Sequence, residues 1–265
     1  MVTDLIRQRR SVRTFDGKPL SAEDRSHLEA YGASLTNPFS VPITFRLLDA
    51  KEHGLSSPVI VGADTYLAAK VSKVPNFELA YGYSFEKLCL YALSRGIGTV
   101  MLAASLSRAA FEKAMEVEDG EVMPVASPLG YPAEKKSIRE GLMRKGLKAD
   151  ERKPFDKLFF EGGFHQPLPQ TNPYAQALEM VRWAPSAGNG QPWRGVVDGE
   201  SVHFYEARSL KDSPLGDIQK VDVGIALAHF DMTLEEAGVK GSYCFSDPGI
   251  PTAENLHYIV TYRRA

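Results

Sequence analysis

Residues 184–194, Ala184-Pro185-Ser186-Ala187-Gly188-Asn189-Gly190-Gln191-Pro192-Trp193-Arg194, carry the densest chemical signal in the chain. Pro185 and Pro192 hold φ near one value and stiffen the approach from either side, while Gly188 and Gly190 have no Cβ to keep another backbone or a flat ligand at a distance. Ser186, Asn189 and Gln191 add groups that both donate and accept. Surface turns use the same residue types for local reasons. The loop alone therefore leaves two readings open, an ordinary turn or a cradle of amides.

Composition narrows the field. The chain has 265 residues and a formal net charge of −2, enough length for one large core or two modest ones. A charge so near zero gives no general attraction to nucleic acid or to a membrane surface, so an anion has to be gripped locally and the expected ligand is small. Cys89 and Cys244 have apolar or aromatic neighbours and no pairing or metal-ligand spacing, which predicts buried thiols in a reducing compartment. Neither a signal-like apolar segment after Met1 nor an apolar run of bilayer length is present. The expectation is a cytoplasmic protein with no membrane partner.

Leu5 and Ile6 give a short N-terminal helix its apolar contacts, and the chain turns extended near Val12. Four arginines, Arg7, Arg9, Arg10 and Arg13, fall within residues 7–13. Ser21, followed three residues later by Asp24, predicts a helix toward Ala33. Residues 44–48 and 58–62 read as strands from their β-branched and aromatic content. Phe85, Leu88, Cys89, Ala92 and Leu93 follow the helical spacing and predict a helix over residues 84–95 that stops at Gly96. Residues 122–126 read as a strand interrupted by Pro124, with the turn Gly130-Tyr131-Pro132 after it. Residues 135–153 read as basic and loop-rich.

The polar stretch 165–173 predicts a boundary, giving halves 1–164 and 165–265. After it a helix near residues 178–183 leads into the opening loop, residues 201–205 form a strand, 221–237 a long helix and 257–262 a closing strand. The offsets suggest a repeat: Gly82 to Gly224 and Gly96 to Gly238 are both 142 residues apart, and Ser34-x-x-Asn37 is echoed by Ser186-x-x-Asn189. The halves differ in what they keep. The arginines of residues 9–13 have no late counterpart, and the early loop lacks the glycines, glutamine and tryptophan of the later one. That asymmetry predicts one composite site, with cations from the first half and the amide-rich loop from the second.

Taken together, Arg9-Arg10-Ser11-x-Arg13-x-Phe15, Gly96-Ile97-Gly98-Thr99, Gly130-Tyr131-Pro132, Arg152-Lys153-Pro154 and Ala184-Pro185-Ser186-x-x-Asn189-x-Gln191-Pro192-Trp193 resemble the FMN-dependent nitroreductase family. The likeness touches most of the chain. Ordinary members carry both end motifs in one subunit and build two flavin sites at a homodimer interface; this sequence resembles the fused branch, with two unequal copies in one chain. The resemblance implies an α+β, nitroreductase-like fold whose halves pack through the helices at residues 84–95 and 221–237 as an intramolecular pseudo-dimer, with a monomer as the working unit.

It also implies roles. Arg9, Arg10 and Ser11 would hold the phosphate and ribityl chain of FMN, Arg152 would close over the phosphate, and Arg13 would lie near the pyrimidine end of the ring, where a cation stabilises developing negative charge. Gly98 and Thr99 would approach the opposite ring edge, and Pro185, Ser186, Asn189 and Gln191 would form the loop against ribityl and ring. The implied reaction is oxidation of NAD(P)H followed, in ping-pong order, by reduction of a small-molecule acceptor such as a nitroaromatic or quinone. Two rivals remain open: a flavin-binding module without turnover, and specialised flavin chemistry such as dehalogenation. No metal-ligand spacing stands out. His229, on a helix apolar all round, reads as a buried histidine rather than a proton relay, and Trp183 and Trp193 read as packing residues.

Overall fold

The computed structural model describes residues 1–135 and 137–265. They form two compact units, one of Gln8–Asp150 and one of Met1–Arg7 with Glu151–Ala265. The opening helix, α1 (Val2–Gln8), leaves its first N–H groups without helical acceptors. The carboxylate of Glu236 takes two of them, from Val2 at 2.5 Å and Thr3 at 3.5 Å. Ile6 is the buried anchor of the helix.

Within Gln8–Asp150 the order is α2 (Ala22–Ser34), β1 (Thr44–Asp49), α3 (Ala50–His53), β2 (Thr65–Ser72), α4 (Phe77–Ser94), α5 (Arg108–Ala114), β3 (Glu121–Val122), β4 (Ala126–Leu129) and α6 (Ile138–Gly146). The predicted cap at Ser21 is present, its hydroxyl accepting from Asp24 N at 3.0 Å. β2 is the central strand, antiparallel to β1 on one side and to β3 and β4 on the other. Pro124 falls between β3 and β4, as its missing N–H requires. The strand expected at residues 58–62 is not formed; Val61 makes only an isolated pairing with Thr14. Pro58 cannot donate to a ladder, and Gly62, at φ +80°, passes so close to Phe15 that a Cβ would lie 2.4 Å from its carbonyl oxygen. The actual strand, β2, buries its first five residues in succession and so shows no alternation. Residues 135–153 also depart from expectation, since α6 forms there: Ser137 Oγ accepts from Glu140 N at 3.1 Å.

The core of this unit lies along α4, which is buried over most of its length. Tyr81 stacks on Phe85 at 5.6 Å between centroids, and its hydroxyl sits 3.0 Å from Ala69 O and 2.6 Å from Val125 O. One buried hydroxyl thus joins β2 to the segment before β4. Leu48, Tyr66, Phe111, Met115 and Met123 form a second apolar cluster.

The other unit contains β5 (Phe159–Glu161), α7 (Ala175–Arg182), β6 (Trp193–Asp198), β7 (Ser201–Ala207), α8 (Ile218–Glu236), β8 (Gly241–Cys244) and β9 (Leu256–Arg264). Its sheet runs β5-β6-β7-β9-β8, antiparallel except for the parallel pair β5 and β6. α7 and α8 pack together, and His229 of α8 is buried with Nδ1 3.0 Å from Met180 O, the packing role expected of it. Trp193 is wholly buried and Trp183 half-buried. Cys89 is buried as expected, but Cys244 is only half-buried because it ends the edge strand β8. Helix, strand, strand, helix occurs in both units, as α2-β1-β2-α4 with α3 inserted and as α7-β6-β7-α8. α4 and α8 are each followed by a left-handed glycine, Gly96 at φ +76° and Gly238 at φ +71°. Among the described residues no helix is long and apolar enough to cross a membrane.

Three carboxyl groups of this unit act on one another, one on β7 and two at the start of α8. Asp217 caps α8 by accepting from Gln219 N and Lys220 N. Glu206 on β7 and Asp222 on α8 are buried, and each is raised first by burial and further by Asp217. Glu206 moves from 4.5 to about 7, with Arg208 and Lys220 opposing the rise. A carboxyl raised on folding holds its proton more tightly in the native state, so stability falls as pH climbs between the unfolded and folded values.

Two outcomes follow from this packing. Tyr81→Phe is expected to cost about 1–3 kcal/mol in denaturant unfolding, because two buried carbonyls lose a donor; an unchanged midpoint would contradict the joint. Glu206→Gln is expected to raise the melting temperature at about pH 8 and to bring little gain at about pH 4, since the wild-type penalty is absent when the carboxyl is protonated in both states. Parallel melting curves at both pH values would refute it.

Candidate functional site

Residues 11–16 run extended and are bonded along their length to three separate segments. Val12 N donates to Thr99 O at 2.9 Å, Phe15 N to Val61 O at 2.8 Å, and Asp16 N to Tyr131 O at 3.0 Å, while Val61 N donates to Arg13 O at 2.9 Å. Gly98 and Gly130 are joined by a bond of 2.8 Å beneath this segment. A Cβ on Gly98 would lie 2.9 Å from the Val12 side chain, and one on Gly130 would lie 2.9 Å from the Phe15 ring. The glycines of both motifs are thus required for seating the arginine-bearing segment. Arg9, Arg10, Ser11, Arg13, Gly98 and Thr99 come together here. Thr99 is buried and its side chain bonds the Cys89 thiol, which burial raises well above its ordinary value.

Arg9 and Arg13 are only 9% and 8% exposed. Buried cations need compensation. Glu86, fully buried on α4, stands 3.9 Å from Arg9 Nε. Glu140, buried on α6, accepts from Arg13 N at 3.3 Å and from the Thr14 hydroxyl at 2.8 Å. Even so, Nε of Arg9 and both Nε and Nη1 of Arg13 have no hydrogen-bond partner among the described residues. Burial lowers both guanidinium groups from their ordinary value; Glu86 and Glu140 oppose this, and Arg144 pushes both further down. A site so arranged has unspent donors and favours an anion. Arg10 is more open, with Nη1 2.8 Å from Arg9 O and Nε 3.8 Å from Asp150.

In the other unit, the loop of residues 184–194 is fastened from several sides. Gly188, Asn189 and Gln191 are all left-handed, at φ +58°, +57° and +51°, a strained choice for the two residues with side chains. Gln191 N donates to Ser186 Oγ at 2.9 Å, and Gln191 Oε1 accepts from Lys153 N at 2.8 Å. Lys153 Nζ reaches Gly190 O at 2.6 Å, and Asn189 Nδ2 reaches Glu151 O at 3.1 Å. Asp222 takes Ala187 N on both carboxylate oxygens, at 3.0 and 3.1 Å. Arg194 Nη1 donates to Gln191 O at 3.1 Å. Arg152 lies over the Trp183 ring at 5.5 Å, with Nη2 3.5 Å from Trp183 O. Pro185 is half-buried at the loop entrance. Arg152, Pro185, Ser186, Asn189 and Gln191 therefore gather within this unit, and Ser186 and Gln191 spend polar atoms on holding the loop's own shape.

Several residues here escape a reading of the sequence. Glu86, Arg144 and Asp222 carry no motif. Ser137-x-x-Glu140 did hold a capping signal, masked by the basic composition around it. Among the described residues no cluster of histidine, cysteine or carboxylate side chains is placed to hold a metal ion.

Comparison with known proteins gives the lineage. No curated protein matches the chain. A crystal structure from Thermotoga maritima, described as a putative nitroreductase, aligns over 99% of this chain and 92% of its own at 21% identity, with a TM-score of 0.64. A second structure, described as an oxidoreductase containing FMN, aligns over 61% of this chain and 92% of its own at 16% identity, with a TM-score of 0.52. At these identities the likeness establishes the nitroreductase-like α+β fold. Residues 1–234, which include the seated arginine segment and the fastened loop alike, match the family described as "Putative TM nitroreductase", and the chain belongs to that nitroreductase family.

Proposed function

We propose that the chain is an FMN-dependent oxidoreductase that holds one flavin, takes electrons from NADH or NADPH, and passes them in ping-pong order to a nitroaromatic or quinone-like acceptor. The observation that carries this reading is the pair of buried arginines with unspent guanidinium donors. Such donors fit a phosphate and an electron-rich ring oxygen. Membership of the nitroreductase family and the likeness to an FMN-containing oxidoreductase support the choice of cofactor.

FMN supplies two-electron redox chemistry when bound, and the protein supplies binding, orientation and electrostatics. In this reading Arg9, Arg10 and Ser11 grip the phosphate and ribityl chain, and Arg152 adds a further cation. Arg13 would hold a positive charge near the flavin ring, and Gly98 and Thr99, whose backbone groups bond Gly130 and Val12, would border its edge. Pro185, Ser186, Asn189 and Gln191 present a stiff, uncharged wall. A single flavin per chain is supported by the fate of the earlier loop. There Asn37 spends its amide on a turn, accepting from Phe39 N and Val41 N and donating to Val41 O and Ser84 Oγ.

Titration with FMN is expected to saturate near one equivalent per chain; two equivalents would exclude the single site. Arg9→Ala is expected to weaken FMN binding by roughly 1.5–3 kcal/mol, the value of a charge-assisted contact, while Arg13→Ala slows flavin reduction more than it weakens binding. Equal effects from the two would defeat this division of roles. Anaerobic mixing with NADH or NADPH should bleach the bound flavin. A flavin that stays yellow with both donors would leave a binding module without turnover.

A further inference from the structure

We propose that Arg144, on α6, is a fourth arginine of the anion site, recognising a phosphate monoester by exchanging its present partner, Asp150, for the phosphate. This rests on the flavin reading above and names a residue that neither the motifs nor the family likeness assigns.

α6 starts at the Ser137 cap and is tied to the arginine segment through Glu140 and through Thr14 Oγ1, which lies 3.1 Å from Ser137 Oγ. Seven residues past the cap, Arg144 has a side chain only 13% exposed. Its charge acts on both Arg9 and Arg13, so it belongs to the same cluster although it lies far along the sequence. Like charges gathered in this way need a counter-anion.

The carboxylates of the cluster are not equivalent. Glu86 is fully buried beside Arg9, and Glu140 is buried on the Arg13 backbone and the Thr14 hydroxyl. Neither can leave without stranding a buried partner. Asp150 differs, since its side chain is 66% exposed. One oxygen lies 2.5 Å from Arg144 Nη2 and 3.8 Å from Arg10 Nε. An exposed carboxylate held between two arginines occupies the place and supplies the charge that a ligand anion would. Asp150 is already open to water, so on displacement its carboxylate stays solvated while an incoming anion takes over Arg144. With Asp150 displaced, Arg144 and Arg10 both lose the carboxylate between them, and a phosphate monoester dianion would supply the charge in its place. The same chemistry is present in the FMN phosphate and in the 2′-phosphate of NADPH.

The test uses the full chain, with wild type, Arg144→Gln, Arg144→Lys and Asp150→Asn each titrated with FMN and with riboflavin. The FMN-loaded forms are then assayed with NADPH and with NADH. Arg144→Gln should weaken FMN about tenfold or more while riboflavin affinity holds, and Asp150→Asn should tighten FMN severalfold. A rise in KM for NADPH alone, with FMN affinity intact, would support the site and identify its phosphate as the nucleotide's. If Arg144→Gln does not fold, Asp150→Asn and Arg144→Lys decide by the same ratios. Equal losses for FMN and riboflavin together with equal changes for NADPH and NADH would overturn the assignment, as would weaker FMN binding by Asp150→Asn. A wild-type protein that binds no flavin would instead sink the functional reading on which the assignment rests.

Discussion

The organising constraint is the seating of one extended segment. Residues 11–16 exchange backbone hydrogen bonds with Thr99, Val61 and Tyr131, and the side chains of Val12 and Phe15 lie directly on Gly98 and Gly130. Beside this seated backbone the side chains of Arg9 and Arg13 are left only 9% and 8% exposed. The fold therefore has to provide counter-charges from within, and it does so with Glu86 on α4 and Glu140 on α6. These carboxylates offset charge yet leave guanidinium nitrogens without a hydrogen-bond partner among the described residues. The difference between compensating a charge and consuming its donors is what makes the cluster receptive rather than merely buried.

The loop at residues 184–194 meets a different problem. It adopts left-handed backbone at Asn189 and Gln191 as well as at Gly188, conformations that persist only when their surroundings over-determine them. Lys153 fastens its far end through Gly190 and Gln191, Asp222 fastens its near end through Ala187, and Ser186 bonds across it to Gln191. Trp193 follows as a fully buried plug. Strain in the backbone is thus matched by bonds from neighbouring segments, and the result is a rigid surface of amide groups. The same bonds show why Arg152 and Lys153 occur together: Arg152 lies on Trp183, and Lys153 clamps the loop that follows it.

Many elements were legible in the sequence because their signals are local. The Ser21 cap, the glycine stops at Gly96 and Gly238, and the spacing of Phe85, Leu88 and Ala92 all act within one or two turns. The repeat offset of 142 residues between the two glycine stops reappears as the recurring order of helix, strand, strand and helix. β2 was hidden because a strand buried on both faces has no alternation, and residues 58–62 imitated a strand with β-branched residues, although only Val61 pairs there, as an isolated bridge to Thr14. α6 was hidden for the opposite reason, since its basic surface resembles a solvated loop.

The amino-acid sequence by itself determined the α+β class, the family resemblance and two chemically marked segments, residues 9–13 and 184–194, because each is a run of neighbours whose chemistry needs no partner to be recognised. Only the tertiary structure decided which groups balance them. Glu86, Glu140, Arg144 and Asp222 are single residues on helices, distant in sequence from what they touch. Each acts within its own unit through burial and distance, neither of which is written in any local pattern.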